Sequence, residues 1–258
     1  MSAYFFATAA KSAVGLVRSG NEDSAMTSRS LVAVADGMGG HAAGEVASRI
    51  AIAAMAKASE IFTSKDVDTD SADDLFASTL TLIDSTISEY AIENPALAGM
   101  GTTLSALFLR NGAVAALHVG DSRIYRLRGN TLEQLSTDHT VIQELLSQGT
   151  ITEAEIATHP QRSVLTQVLM GDGRNQPSLS IFEVKADDRF LLCSDGLNGV
   201  LSDKEIKSIL KGKARIAAVD ALVDAAYING APDNVTVIVA DVLDNDIQEP
   251  LTLLGAAK

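Results

Sequence analysis

Between residues 103 and 135 the chain sets out four short apolar segments, at about 103–109, 113–119, 123–127 and 131–135. They are divided by glycine-bearing turns at Gly112, Gly120-Asp121 and Gly129-Asn130. Turns this tight leave no room for a crossover helix, so the block predicts consecutive antiparallel strands. Helix-period segments lie outside it, in two pairs. Ahead of it a helix is predicted over about 43–62, with Val46, Ile50, Ala53 and Ala54 on one side. A second is predicted over about 74–93, where Phe76, Leu80, Ile83 and Ile87 step by four, three and four along one stripe. Behind it, Ser202 with Glu205 three residues on has the pattern of a capping box and opens a helix to about Leu210. Val219, Leu222, Val223 and Ala226 mark another over about 214–227. Further strands are expected at 30–35, 179–184, 189–193 and 234–242. Strand does not alternate with helix throughout, which argues against a doubly wound parallel sheet. Antiparallel sheets covered by helix pairs, an α+β architecture, fit the order better.

At 258 residues one domain is the simplest reading, over residues 1–243, with 244–258 as a loose C-terminal tail. No stretch reaches the ~18 apolar residues of a membrane span. The apolar piece at 4–10 has no basic residue before it, so it is expected to be an edge of the fold and not a signal peptide. The single cysteine, Cys193, permits no internal disulfide, which fits a reducing, cytoplasmic setting. Thirty-three acidic residues against 20 basic ones give a net charge of −13. That balance argues against nucleic acid and anionic membranes as partners. Acid surplus can serve cation binding or simply solubility.

The acids have a pattern. Apolar runs stop at a carboxylate three times: Val32-Ala33-Val34-Ala35 at Asp36, Leu117-His118-Val119-Gly120 at Asp121, and Leu191-Leu192-Cys193-Ser194 at Asp195. Asp233 stands just before the apolar run Val235 to Val239. Strands ending this way can gather distant carboxylates at one end of a sheet. Asp-Gly, as at 36, 172 and 195, is also an ordinary turn, so each acid alone has a plain structural reading. Together they suggest Mg²⁺ or Mn²⁺, hard ions that take oxygen ligands. Two such ions about 3.5–4 Å apart can share a water and clamp a displacement at phosphorus.

Six motifs in order carry a resemblance. Val14 to Asp23 (VGLVRSGNED), Val34 to Ser48 (VADGMGGHAAGEVAS), Gly99 to Thr103 (GMGTT), Val119 to Arg123 (VGDSR), Cys193 to Leu197 (CSDGL) and Asp233 to Thr236 (DNVT) together resemble the metal-dependent, or type 2C, protein phosphatases in their bacterial form. The resemblance implies a four-layer α/β/β/α sandwich, two antiparallel sheets with a helix pair on each outer face. It implies a protein serine/threonine phosphatase with two Mn²⁺ or Mg²⁺ ions and a weaker third. Asp36 would bridge the two ions, and the Gly37 carbonyl would bind one of them. Asp195 and Asp233 would complete the other. Asp23 would lie near the second ion, Glu22 is a less certain ligand, and Asp121 would share the third with Asp195. Arg18 would pair the substrate phosphate through its planar guanidinium. His41 would protonate the leaving serine or threonine oxygen while a metal-activated water attacks phosphorus directly. Partners would be phosphorylated proteins, with a bacterial Ser/Thr kinase among them, and the chain is expected to be a monomer.

The family's flap falls at about 139–175. There Ser163, Gln167 and Met170 replace the Asn, Arg and Gly of many bacterial members, a departure that bears on substrate preference. Asp66-Val67-Asp68-Thr69-Asp70 imitates a calcium-loop start. Ser71 at the sixth position and Ala77 at the twelfth deny it the turn and the bidentate ligand, so a solvated loop is expected. Competing readings are a dedicated regulatory phosphatase of a partner-switching system, a non-catalytic binding module on the same fold, and a calcium-binding surface protein. The intact set of aspartates disfavours the binding module, and the failed loop disfavours the calcium protein.

Overall fold

A computed structural model describes residues 4–39, 43–62, 71–245 and 247–258. In chain order the strands are β1 (Phe5–Ala13), β2 (Asp23–Thr27), β3 (Leu31–Met38), β4 (Gly101–Thr102), β5 (Leu104–Arg110), β6 (Ala113–Val119), β7 (Arg123–Arg128), β8 (Thr131–Gln134), β9 (Ser178–Glu183), β10 (Arg189–Cys193), β11 (Val235–Leu243) and β12 (Thr252–Gly255). The helices are α1 (Ala43–Phe62), α2 (Ala72–Glu93), α3 (Val141–Ser147), α4 (Asp195–Asn198), α5 (Asp203–Leu210) and α6 (Arg215–Ile228). One sheet runs β1-β11-β10-β7-β8. The other runs β12-β2-β3-β5-β6-β9, with β4 added beside β3, and every pairing is antiparallel.

Period-two alternation on strands covered from both sides sorts the core into three slabs. Leu31, Ala33 and Ala35 of β3 pack outward against Ile52, Phe76 and Ile83 of the α1–α2 pair. Val32 and Val34 turn inward to meet Phe190, Leu192 and Ile238 of the second sheet. Val235, Val237 and Val239 of β11 face Ile206 and Leu222 of the α5–α6 pair. The result is the four-layer α/β/β/α sandwich expected. Among the described residues no helix is long and apolar enough to cross a membrane.

Several expectations need correction. The tail after Asp244 is not loose. β12 pairs with β2, Ala256 N–H donates to the Asp23 carbonyl at 2.8 Å, and Glu249 accepts from both the backbone N–H and the hydroxyl of Thr8. The 4–10 piece does form an edge, as β1 of the five-stranded sheet. Glu153–Thr158 forms a 3₁₀ turn, opened by a capping box of Thr152 with Glu155. The helix before it, α3, was not expected. The calcium-loop imitation at 66–70 lies outside the described residues.

Candidate active site

Strand pairing brings the acids together. Asp23, the first residue of β2, lies directly opposite Asp36 of β3 and is 1% exposed. In the facing sheet β10 ends at Cys193, Ser194 follows as the cap of α4, and Asp195 is that helix's first residue. β11 is the neighbour of β10 and begins just after Asp233-Asn234, so Asp195 and Asp233 emerge side by side. Two contacts join the sheets at this end. The Ser194 hydroxyl donates to Asp23 Oδ2 at 2.7 Å, and Glu22 N–H donates to Asn234 Oδ1 at 2.8 Å. Asp121, in the turn after β6, is tied in through backbone and hydroxyls. Asp36 N–H donates to Thr103 Oγ1 at 2.9 Å, and Thr103 Oγ1 lies 2.8 Å from Ser122 Oγ.

Gly37 follows Asp36 where α1 begins to press on β3. A Cβ at Gly37 would lie 2.1 Å from the Gly44 carbonyl oxygen, and one at Gly44 would lie 2.7 Å from the Gly37 carbonyl carbon. Only glycine at both positions lets helix and strand approach this closely.

Arg18 stands on the loop between β1 and β2. Its Nη2 donates to Asp233 Oδ2 at 2.7 Å, and Nη1 is 3.7 Å from Glu22 Oε2. Asn234 holds that loop. Its Nδ2 donates to the Val14 and Gly20 carbonyls at 2.8 and 2.9 Å, and its Oδ1 accepts from Glu22 N–H at 2.8 Å. Asn234 is buried, so Asn234→Ala leaves three backbone groups without partners. At roughly 1 kcal/mol per hydrogen bond, the expected loss of stability is about 2–3 kcal/mol by urea unfolding. A loss below about 0.5 kcal/mol would contradict this anchoring role.

The site strains against its own charge. Burial, then the neighbouring Asp195 and Asp233, hold the Asp23 carboxyl up at about 7, against the pull of Thr236 and Ser194. Burial, then Asp195 and Asp138, bring Asp121 to about 7. Asp36 lies well above the carboxylate range, through burial and the charges of Asp23, Asp195, Asp121 and Asp233. Asp195 is raised by burial and by Asp233. Among the described residues no three acidic, histidine or cysteine side chains converge as a ready ligand set. The carboxylates instead engage Arg18 and Ser194. The donors are nonetheless all hard oxygens, and repulsion among crowded carboxylates is what a divalent cation relieves. The residues therefore fit Mn²⁺ or Mg²⁺.

The structure thus gathers Arg18, Glu22, Asp23, Asp36, Asp195 and Asp233 at one end of the sandwich, with Asp121 alongside. His41 lies outside the described residues. The flap starts where His139 N–H donates to the Gly120 carbonyl beside Asp121. Its return leg pairs Leu169 with Thr102, and Asp84 of α2 accepts from Gly171 and Gly173 N–H at 2.8 and 2.7 Å. Sequence reasoning assigned no role to Asn234, Ser194 or Thr103. All three stood inside the quoted motifs; Ser194 and Asn234 each adjoin an aspartate, which was the available signal, whereas Thr103 has no acid near it in the chain.

Fold and site together define a class: an α/β/β/α sandwich with a cluster of carboxylates at one end and a guanidinium beside it. The sequence profile of the family described as protein phosphatase 2C matches residues 21–225, and the chain belongs to that family. It is 42% identical over 252 residues to the serine/threonine protein phosphatase PstP of Mycobacterium tuberculosis, covering 96% of this chain and 47% of that protein. It therefore spans about half the length of that relative. The serine/threonine phosphatase stp of Listeria welshimeri is 33% identical, with 88% of this chain and 92% of that protein covered. A solved structure of the catalytic domain of a PstP phosphatase, in complex with two manganese ions, superposes with a TM-score of 0.85 at 39% identity. The match covers 93% of this chain and 99% of that one.

Proposed function

We propose that this chain hydrolyses phosphoserine and phosphothreonine on proteins. Two Mn²⁺ or Mg²⁺ ions would be held by Asp23, Asp36, the Gly37 carbonyl, Asp195 and Asp233, with a weaker third at Asp121 and Asp195. The observation that carries this reading is the Asp23–Asp36 cross-strand pair meeting Asp195 and Asp233 beneath Arg18. Bound there, the ions supply an activated water and offset the charge of the phosphoryl group. Arg18 is half-exposed and engaged with Asp233, so its guanidinium is placed at the mouth to exchange a carboxylate for two phosphate oxygens. Glu22, on the same loop, lies 3.7 Å from the guanidinium and adds a weaker attraction.

The leaving oxygen needs a proton, and His41 is the residue the family pattern offers. His41→Ala is expected to slow phosphopeptide hydrolysis at least tenfold more than aryl phosphate hydrolysis, because a good leaving group needs no acid. Equal losses on the two substrates would argue against that role. The natural partners of the reading are phosphorylated proteins and the kinase that modifies them, met by a monomer in the cytoplasm. The test is phosphate release from a phosphothreonine peptide with and without Mn²⁺. Metal-dependent release is expected. No release from several peptides at saturating metal would overturn the proposal.

A further inference from the structure

Two methionines stand exposed on the Asp36 side of the sandwich, and strand register locates them. Val32 and Val34 of β3 face the inner slab, so by period two Asp36 and Met38 follow on that face. Met38 pairs with Gly101 of β4. The flap's return leg lies on the other side of β4, where Thr102 and Leu169 exchange backbone hydrogen bonds of 2.9 and 3.0 Å. That register sets Met170 level with Gly101 and Met38. Residues directly opposed on antiparallel strands project from one face. A Cβ built on Gly101 would accordingly lie 3.3 Å from Met170 Cβ and 2.8 Å from Val168 Cγ1. The alternate residues Met100 and Leu169 point the other way, into the helix-side core. Met38, Gly101 and Met170 thus form one row on the active-site face, two residues or roughly 7 Å beyond Asp36.

The row is exposed. Met38 and Met170 are 40% and 42% accessible, whereas Met26, Met55 and Met100 are each 1% or less. Methionine is unbranched and polarisable, and it serves surfaces that must accept several apolar shapes. Glycine between the two leaves a shallow dip, because a side chain at 101 would meet Val168 and Met170. Met170 is also one of the three flap positions at which the sequence departs from the family pattern.

We propose that the Met38–Gly101–Met170 shelf seats an aliphatic side chain of the protein substrate next to its phosphorylated residue, a specificity surface that rests on the phosphatase reading. Continuity supplies the argument. Gly37 alone separates the bridging aspartate from the shelf, so a phosphoresidue at the acids brings its chain neighbour over the methionines. An acidic neighbour would meet Glu22, Asp233 and the remaining carboxylates, so an aliphatic one is favoured.

The experiment compares kcat/KM for phosphothreonine peptides with Leu or Gly at the flanking positions, and for p-nitrophenyl phosphate, in wild type, Met170→Gln and Met170→Leu. Wild type and Met170→Leu are expected to prefer a Leu-flanked peptide by about tenfold, equal to 1.4 kcal/mol, mostly through KM. Met170→Gln, nearly the same shape but polar, should reduce that preference to about twofold and keep its aryl phosphate rate. No wild-type preference, a preference unchanged in Met170→Gln, or equal loss on all three substrates would each overturn the shelf. No hydrolysis of either substrate class by wild type with Mn²⁺ would overturn the phosphatase reading itself, and the shelf with it.

Discussion

Asparagine in place of Asp36 is expected to lower metal-saturated phosphate release by about a thousandfold or more, roughly 4 kcal/mol of transition-state stabilisation. The reason is position. Asp36 is partly buried, and it is the acid on which the charges of Asp23, Asp195, Asp121 and Asp233 all act. Asp23 is already engaged by Ser194, and Asp233 by Arg18. The same substitution removes an acid whose ionisation the surrounding carboxylates oppose, so the metal-free variant should be at least as stable as wild type at neutral pH. An inactive but equally stable protein separates loss of chemistry from loss of fold. Near-normal turnover of the variant at saturating Mn²⁺ would remove Asp36 from its assigned role.

The second large effect is on stability. The carboxyls of Asp23 and Asp121 stand at about 7 in the folded chain, against about 3.9 for an unfolded aspartate. Between those values the folded state holds more protons than the unfolded state. The contribution of these groups is therefore fully present below about pH 4 and is lost as the pH climbs to about 7. The melting temperature in chelator should fall across that window, and fall less in Asp36→Asn. A cation held by the same oxygens offsets the repulsion. At 100 times its Kd, a ligand bound only by the folded state adds about 2.7 kcal/mol, roughly 5–10 °C for a domain of this size. Melting curves at pH 7.5 with and without Mn²⁺ check this. A flat pH profile in chelator together with no shift on adding Mn²⁺ would contradict it.

How much of this was legible in the sequence depends on local signal. β5 to β8 could be read because glycine-bearing turns divide them at short, regular spacing, and α2 because its stripe repeats at the helical period. β2 could not. Its sequence, Asp-Ser-Ala-Met-Thr, has no alternation, yet all five residues are buried because β3 and β12 flank it and α1 covers it. β12 is four residues long, and its pairing with β2 is a contact between residues far apart in the chain. The site was legible in the same uneven way. Asp36, Asp121 and Asp195 each end an apolar run, so chain pattern alone drew attention to them. No apolar run leads into Asp23, and only the motif marked it. Asn234 looks like a turn residue until the carbonyls of Val14 and Gly20 are seen converging on it.

The account rests on the acidic end of the sandwich being a metal centre, and crystals grown with Mn²⁺ test that most directly, with anomalous scattering recorded at the manganese edge. Two strong peaks are expected among Asp23, Asp36, Asp195 and Asp233, one on each side of the Asp36 carboxylate. No peak there at millimolar Mn²⁺, with the Arg18–Asp233 pair unbroken, would contradict the account.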